Sequence, residues 1–244
     1  MTVETRLVQV RTQVLKQNDV VARELRTQFH EAGVCVVSLV SSPGSGKTKL
    51  LEETLSTLGA SHQVAALVGD LATENDARRL SKTGVPVRQI TTGTVCHLEA
   101  EMVRQALAGW DLETLDFLFI ENVGNLVCPA TYDLGEDLRV VLFSVTEGED
   151  KPQKYPTVFN TADLALLTKL DLAEAVEFDR AAAYRSVESV RPGMPVLEVS
   201  AKSGVGMEQW VGRLRDRRRQ LFPGQAVTRS EEKPATEAGT SASG

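Results

Sequence analysis

Ser41-Ser42-Pro43-Gly44-Ser45-Gly46-Lys47-Thr48 is the stretch whose reading decides the fold. The P-loop pattern asks for Gly, four residues, then Gly-Lys-Ser/Thr. Ser41 stands where the first glycine is expected, and the rest holds. Gly44 and Gly46 let the backbone wrap closely enough for the N–H groups around Ser45 to face phosphate oxygens. A helix beginning near Lys49 adds the partial positive charge of its N-terminus. In such a loop Lys47 bridges the β- and γ-phosphates and Thr48 ligates Mg²⁺. The competing explanation is a chance glycine-rich turn; a strand pattern before the loop and a helix pattern after it argue against that.

Outward from this loop, short apolar runs alternate with polar helical stretches. The runs cover residues 34–40, 64–68, 85–90, 115–120, 138–145, 164–167 and 196–199, each bounded by Gly, Pro, Asp or Ser. Near-continuous apolar runs suit strands buried on both faces. Their alternation with helices predicts an α/β domain of the P-loop NTPase type, with a mostly parallel seven-stranded sheet flanked by helices. Leu7, Val10, Val14 and Leu15, then Val20, Val21 and Leu25, recur at helical spacing, so residues 3 to about 32 read as a helix stopped by Gly33. The expected organisation is an N-terminal helical extension (1–32), the P-loop domain (33–222) and a tail (223–244). Little in that tail can be buried, and disorder is expected after Pro223.

Two later segments bear on the base. Thr168-Lys169-Leu170-Asp171 ends the sixth run and is similar to the Asn-Lys-x-Asp element that reads guanine in GTPases, with Thr168 for Asn. The Asp171 carboxylate can accept from guanine N1–H and the N2 amino group, whereas adenine would leave it unpaired. Lys169 can lie along the base with its aliphatic stem. Ser200-Ala201-Lys202 follows the seventh run and resembles the Ser-Ala-Lys element whose backbone contacts guanine O6. Each is short, and a Lys-x-x-Asp cluster is often a solvated turn. Their order after a P-loop and their places at strand ends, where open α/β sheets bind ligands, give them weight.

Asp70 and Glu121 also sit at strand ends. Phosphoryl transfer needs a carboxylate near Mg²⁺ and a group that orients the attacking water. Glu121-Asn122-Val123-Gly124 resembles the Asp-x-x-Gly switch of GTPases, with Glu for Asp, and its longer side chain would reach the metal through water or from outside the ligand sphere. Asp70 is a candidate for the Mg²⁺ shell or for positioning water. Each carboxylate has a plainer alternative as a helix cap or turn residue.

Cys96-His97 is expected to begin a helix after Thr92-Gly93-Thr94-Val95, and Cys128 lies just past Glu121. Thiolates and imidazole suit Zn²⁺ or Ni²⁺, and a thiolate at a helix N-terminus would have a lowered pKa. Lone cysteines are more often small core hydrophobes, as expected of Cys35 within Val34-Cys35-Val36-Val37. Three ligands also leave a four-coordinate ion incomplete, which a symmetric dimer could remedy by pooling ligands at its axis.

Composition narrows the classes. Three cysteines in 244 residues make no disulfide framework and fit a reducing compartment. There is no signal-peptide pattern and no run approaching 18 apolar residues, so a cytoplasmic protein without membrane insertion is expected. A net charge of −6 argues against a general nucleic-acid binder. The arginines between residues 213 and 219 are expected on the solvated face of a C-terminal helix.

Taken together, the P-loop, Gly69-Asp70-Leu71-Ala72-Thr73-Glu74-Asn75-Asp76-Ala77, Cys96-His97-Leu98, Glu121-Asn122-Val123-Gly124-Asn125-Leu126-Val127-Cys128-Pro129 and Thr146-Glu147-Gly148-Glu149-Asp150-Lys151-Pro152 resemble the nickel-incorporation GTPases of nickel–iron hydrogenase maturation. The resemblance runs over about residues 18–221, and the last two segments are unlike those of other GTPases. It implies a SIMIBI-class GTPase with slow turnover that dimerises when loaded with GTP. It also implies a Ni²⁺ or Zn²⁺ site at the dimer interface, held by Cys96, His97 and Cys128. The implied function is GTP-dependent delivery of nickel to a hydrogenase large-subunit precursor, with a small zinc-binding maturation partner that meets the chain near residues 1–32. The cysteine cluster or His-rich stretch that some members carry at the N-terminus is absent here, so metal handling would rest on the interfacial site. Coupling between Mg²⁺·GTP and that site through the segment after Glu121 is a further expectation.

Three other readings compete. Related nickel GTPases serving urease share the P-loop but carry Cys-Pro-His, whereas Cys96 and His97 are adjacent. A non-catalytic nucleotide- and zinc- or nickel-binding protein would not need Lys47, Thr48 and Asp70 together. An ATP-dependent kinase is disfavoured by Asp171.

Overall fold

The computed structural model describes residues 3–71 and 75–225, with side chains from residue 13 onward. The elements run α1 (Val3–Ala32), β1 (Cys35–Ser41), α2 (Lys47–Gly59), β2 (Val64–Asp70), α3 (Asn75–Ser81), β3 (Val87–Thr91), α4 (Ala100–Ala106), β4 (Phe117–Glu121) and β5 (Leu138–Ser144). They continue through α5 (Lys151–Lys154), α6 (Pro156–Thr161), β6 (Leu164–Thr168), α7 (Arg180–Val190), β7 (Val196–Glu198) and α8 (Met207–Leu221). All seven strands form one sheet in the order β3-β2-β4-β1-β5-β6-β7, and every pairing is parallel.

The apolar runs become central strands because helices cover both faces. Along β1, Cys35, Val37 and Leu39 point into one core with Leu50, Leu51 and Leu55 of α2 and Trp210 and Leu214 of α8. Val36, at alternate spacing, enters the opposite core with Ala22, Leu25 and Phe29 of α1 and Val103 of α4. A third core joins Val141 and Phe143 of β5 to Phe159 of α6 and Val187 of α7. Period-2 alternation thus persists, with both phases apolar. Burying a side chain such as Leu51 or Phe29 contributes about 1.5–3 kcal/mol, so truncating either to Ala breaks the seating of its helix first.

The α1 helix ends at Ala32, where Gly33 takes a left-handed φ of 74°. Its second half belongs to the core, and Asn18 ties it to the loop at Asp133 and to the start of α4. The Asn18 amide donates to Asp133 O at 2.8 Å and accepts from Ala100 N at 2.8 Å. Cys35 is fully buried, and burial raises its thiol pKa to about 12.

Two expectations are corrected. The arginines of α8 do not all face solvent: Arg218 turns inward and pairs with fully buried Asp116 at 2.6 Å. A buried carboxylate needs a charged, hydrogen-bonded partner, and Arg218 supplies it beneath the start of β4. Cys96 and His97 do not begin a helix; they lie in a loop, and α4 begins at Ala100 with Glu99 as its N-cap. The tail expectation for residues 226–244 lies outside the described residues.

Candidate functional site

Because the strands are parallel, their C-terminal ends share one edge of the sheet, and the sequence-derived site residues gather there. The P-loop leaves β1 at Ser41 and enters α2 at Lys47. Gly44 and Gly46 both adopt left-handed φ, 77° and 94°, which side-chain-bearing residues adopt only at a cost. A cleft of about 480 Å³ opens over the loop, lined also by Asp70, Asp76, Arg79, Glu121 and Gly124. Lys47 is buried, donates to Ser41 Oγ at 3.3 Å and stands 3.9 Å from Glu121 Oε1. Ser41, replacing the expected glycine, therefore gives the P-loop lysine a hydroxyl to rest on. Thr48 Oγ1 donates to Glu121 Oε1 at 2.8 Å.

Glu121 is nearly completely buried, and burial pushes its pKa up against the opposing pull of Lys47 and Thr48. Its Oε2 is buried without a hydrogen-bond partner, as is Ser45 Oγ. An orphaned carboxylate oxygen beside a threonine hydroxyl and a second acidic strand end is a hard-oxygen set that suits Mg²⁺. Asp70 lines the same cleft while accepting from Leu71 N at 2.6 Å. Asp70 thus combines a local turn bond with a place in the cleft.

A smaller cavity of about 230 Å³ adjoins the loop, lined by Gly46, Thr168, Lys169, Asp171, Ala201 and Lys202 among others. Thr168 Oγ1 donates to Ser45 O at 2.6 Å, so the residue standing for Asn pins the P-loop to β6. Lys169 takes a left-handed φ of 58°, and its stem lies beside Gly46. Asp171 Oδ1 accepts from Ser200 Oγ at 2.6 Å, and Lys202 Nζ lies 3.8 Å from Oδ2. The two short elements thus meet through Ser200, a contact that sequence reading did not assign.

Cys96, His97 and Cys128 come together, with their ligand atoms all within 4.8 Å of one another. The two sulfurs are 2.6 Å apart and both thiols are free. The Cys96 thiol pKa is raised, chiefly by its hydrogen bond to Cys128, which reverses the expected helix-terminus effect. Neither ring nitrogen of His97 has a hydrogen-bond partner, and Glu99 Oε1 lies 3.5 Å from Nε2. Burial lowers the His97 pKa, favouring the neutral imidazole that binds metal. The Tyr132 ring packs on His97 with centroids 4.0 Å apart. Two thiols and an imidazole with no hydrogen bond to either ring nitrogen make a donor set that suits Ni²⁺ or Zn²⁺.

The two centres are joined by the segment after β4. Gly124 lies against Pro43 so closely that a Cβ would come within 3.1 Å of the proline Cα. Buried Asn122, next to Glu121, accepts from Leu98 N at 3.0 Å and Val123 N at 2.9 Å. Asn125 Nδ2 donates to Cys96 O at 3.4 Å, while its Oδ1 accepts from Val127 N at 2.8 Å. Nothing in the sequence pattern assigns a role to Asn122, Asn125 or Tyr132; side-chain amides that bind backbone groups across the fold, and a ring that packs on a distant imidazole, leave no periodic trace in the sequence.

Residues 35–198 match the family described as CobW/HypB/UreG, nucleotide-binding domain. The chain is 49% identical over 208 residues to the hydrogenase maturation factor HypB of Azotobacter vinelandii, covering 85% of this chain and 69% of that protein. It is 46% identical over 215 residues to the Escherichia coli K12 factor of the same name, covering 88% and 74%. The crystal structure of HypB from Helicobacter pylori in complex with nickel superposes with a TM-score of 0.79 at 39% identity, covering 86% of this chain and 99% of that one. On this sequence and structural likeness, the chain belongs to the CobW/HypB/UreG family of nucleotide-binding domains and, within it, to the HypB hydrogenase maturation factors.

Proposed function

We propose that the protein is a GTPase metallochaperone that couples GTP binding and hydrolysis to nickel handling during hydrogenase maturation. The observation that carries this reading is the continuous segment from Glu121 to Cys128, which touches the P-loop at one end and supplies a thiol ligand at the other. Guanine is assigned to the smaller cavity, where Asp171 meets the N1–H and N2 donors and Lys169 covers the base. Lys47 and the loop N–H groups hold the phosphates, while Asp70 and Glu121 order the attacking water and the cation. Thr48 and Glu121 would hold Mg²⁺, which neutralises charge developing on the phosphates.

Nickel is the cargo in this reading, taken by Cys96, His97 and Cys128, with Zn²⁺ as the competing ion for the same donors. Three donors leave one position of a four-coordinate ion open, so GTP-dependent pairing of two chains would complete the site. The hydrogenase large-subunit precursor is the proposed recipient and a small zinc-binding maturation protein the proposed partner. Cytoplasmic action agrees with the free thiols, and no helix among the described residues is long and apolar enough to cross a membrane.

The test is a nickel titration of the full chain, loaded with GDP and then with a non-hydrolysable GTP analogue, beside Cys128→Ser. Affinity that depends on the nucleotide and collapses in the variant is expected. Affinity indifferent to both would overturn the metal half of the reading, and absence of GTP turnover with Mg²⁺ would overturn the enzymatic half.

A further inference from the structure

Cys128 opens a short 3-10 turn, Cys128–Thr131, and Tyr132 closes it. One guanidinium grips that turn. Arg139, the second residue of β5, donates from Nη1 to Ala130 O at 3.2 Å and from Nη2 to Tyr132 O at 2.6 Å. Its Nε donates to Glu136 Oε1 at 2.6 Å. Glu136 is itself fixed, accepting from Ser38 Oγ of β1 at 3.0 Å and from Leu134 N at 2.7 Å. The Arg139 backbone is held as well: its N–H donates to Asp163 Oδ2 at 2.7 Å, and its carbonyl accepts from Asp163 N at 2.8 Å.

The ion pair is buried, with side chains 10% and 5% exposed. A buried pair of this kind is weak evidence for stability, because desolvation offsets its attraction. Its geometry gives it another use. The carbonyl of Ala130 lies two residues past the Cys128 thiol, and the carbonyl of Tyr132 belongs to the residue whose ring packs on His97. One rigid fork, anchored in two central strands, therefore places the thiol and the surface against which the imidazole rests. Only a guanidinium presents enough planar donors for two carbonyls and a carboxylate at once.

We infer that Arg139, held by Glu136, is a positioning residue of the Cys96/His97/Cys128 metal site, setting the spacing of thiol and imidazole without touching the ion. This rests on the metal reading above. Metal–ligand distances tolerate only about 0.2 Å, and the groups that orient ligands are typically worth 10–100-fold in metal affinity.

The test uses the full chain, nickel sulfate against a competing chelator, and the thiolate-to-nickel charge-transfer band. Arg139→Lys keeps the cation but cannot span both carbonyls and the carboxylate. It is expected to lower nickel affinity about 10–100-fold and shift the band, with GDP affinity within about twofold of the parent. Glu136→Gln, of nearly the same shape, is expected to move both readouts in the same direction by less. Cys128→Ser is expected to lower nickel affinity and weaken the band, since only the Cys96 thiolate is left. Unchanged nickel affinity and band in Arg139→Lys, with the Cys128→Ser loss intact, would overturn the inference and leave the metal reading standing. A parent protein without the band would sink the metal reading itself. Parallel loss of nickel and GDP binding in Arg139→Lys would mark a purely structural residue. Should that variant fail to fold, Glu136→Gln decides: reduced nickel affinity at unchanged GDP affinity supports the inference, and parent-like affinity rejects it.

Discussion

Thr48 Oγ1 donates to Glu121 Oε1 at 2.8 Å, and this one bond ties the first turn of α2 to the end of β4. It leaves Glu121 Oε2 buried without a partner and Lys47 Nζ 3.9 Å from Oε1. Burial of a carboxylate that no cation fully compensates is unfavourable for the ligand-free fold. In the proposed reading, a site poised in this way would bind a divalent ion with the desolvation already met. Glu121→Gln keeps an acceptor for Thr48 but removes the charge. GTP hydrolysis is expected to fall on the order of 100-fold, while the ligand-free melting temperature stays level or rises. Steady-state phosphate release and thermal unfolding without Mg²⁺ check this, and parent-like turnover would remove Glu121 from the reaction.

Asp171 sits between Ser200 Oγ at 2.6 Å and Lys202 Nζ at 3.8 Å, with the smaller cavity beside it. In the proposed pose, Asp171→Asn puts a donor where the carboxylate would accept from guanine N1–H. Guanine nucleotide affinity is expected to drop on the order of 100-fold, since a mispaired buried polar group costs about 1–3 kcal/mol and two donors are affected. Xanthine nucleotides, which present an acceptor there, should gain. Competition between GDP and XDP for a fluorescent nucleotide measures the exchange; an unchanged preference would place the base elsewhere.

Acid sensitivity has an identifiable contributor in His62. Burial lowers its pKa, its ring meets the edge of Phe117, and its Nδ1 lies 2.8 Å from Ser61 Oγ. A histidine whose folded pKa lies below its unfolded value near 6.5 takes up its proton more readily when unfolded. Its stability contribution is therefore present above about pH 6.5 and lost as pH falls through that value and below. His62→Gln should flatten the decline of melting temperature between about pH 7 and pH 5, at a cost near 1 kcal/mol or less at pH 7.5. Parallel curves for parent and variant would assign the decline to other groups.

The fold was legible because the apolar runs are short and bounded, and the P-loop fixes which end of the sheet carries ligands. All seven strands begin and end within about two residues of their runs, as boundary uncertainty allows. Less legible was anything set by one side chain reaching across the fold. The arginines of α8 read as a solvated face, yet Arg218 pairs with Asp116 from more than a hundred residues away. Cys96-His97 reads as a helix start because it follows the turn-like stretch Thr92-Gly93-Thr94-Val95. The amide of Asn122, by accepting from Leu98 N, holds the following residue in a loop instead. Such bonds depend on which elements become neighbours, and local periodicity does not encode that.

Asn122 also gives the sharpest test of communication between the two centres. Its neighbour Glu121 meets the P-loop, while its Oδ1 accepts from Leu98 N, one residue past His97. In the proposed coupling, a nucleotide that moves Glu121 is expected to shift Asn122 and, through this bond, the backbone at Leu98. Asn122→Ala removes the link and leaves all three metal donors and the P-loop in place. Linkage then makes a reciprocal statement: if GTP changes nickel affinity by some factor, nickel changes GTP affinity by the same factor. In the parent that factor is expected in the range of about 5–150-fold. In Asn122→Ala both directions should shrink together toward unity, with the nickel and GDP affinities of the GDP-free and nickel-free protein altered by less than about 1 kcal/mol. Calorimetric titration of each ligand with and without the other closes the cycle. A coupling factor that survives the substitution would point instead to Gly124 and Pro43, which lie so close that a Cβ at Gly124 would come within 3.1 Å of the proline Cα.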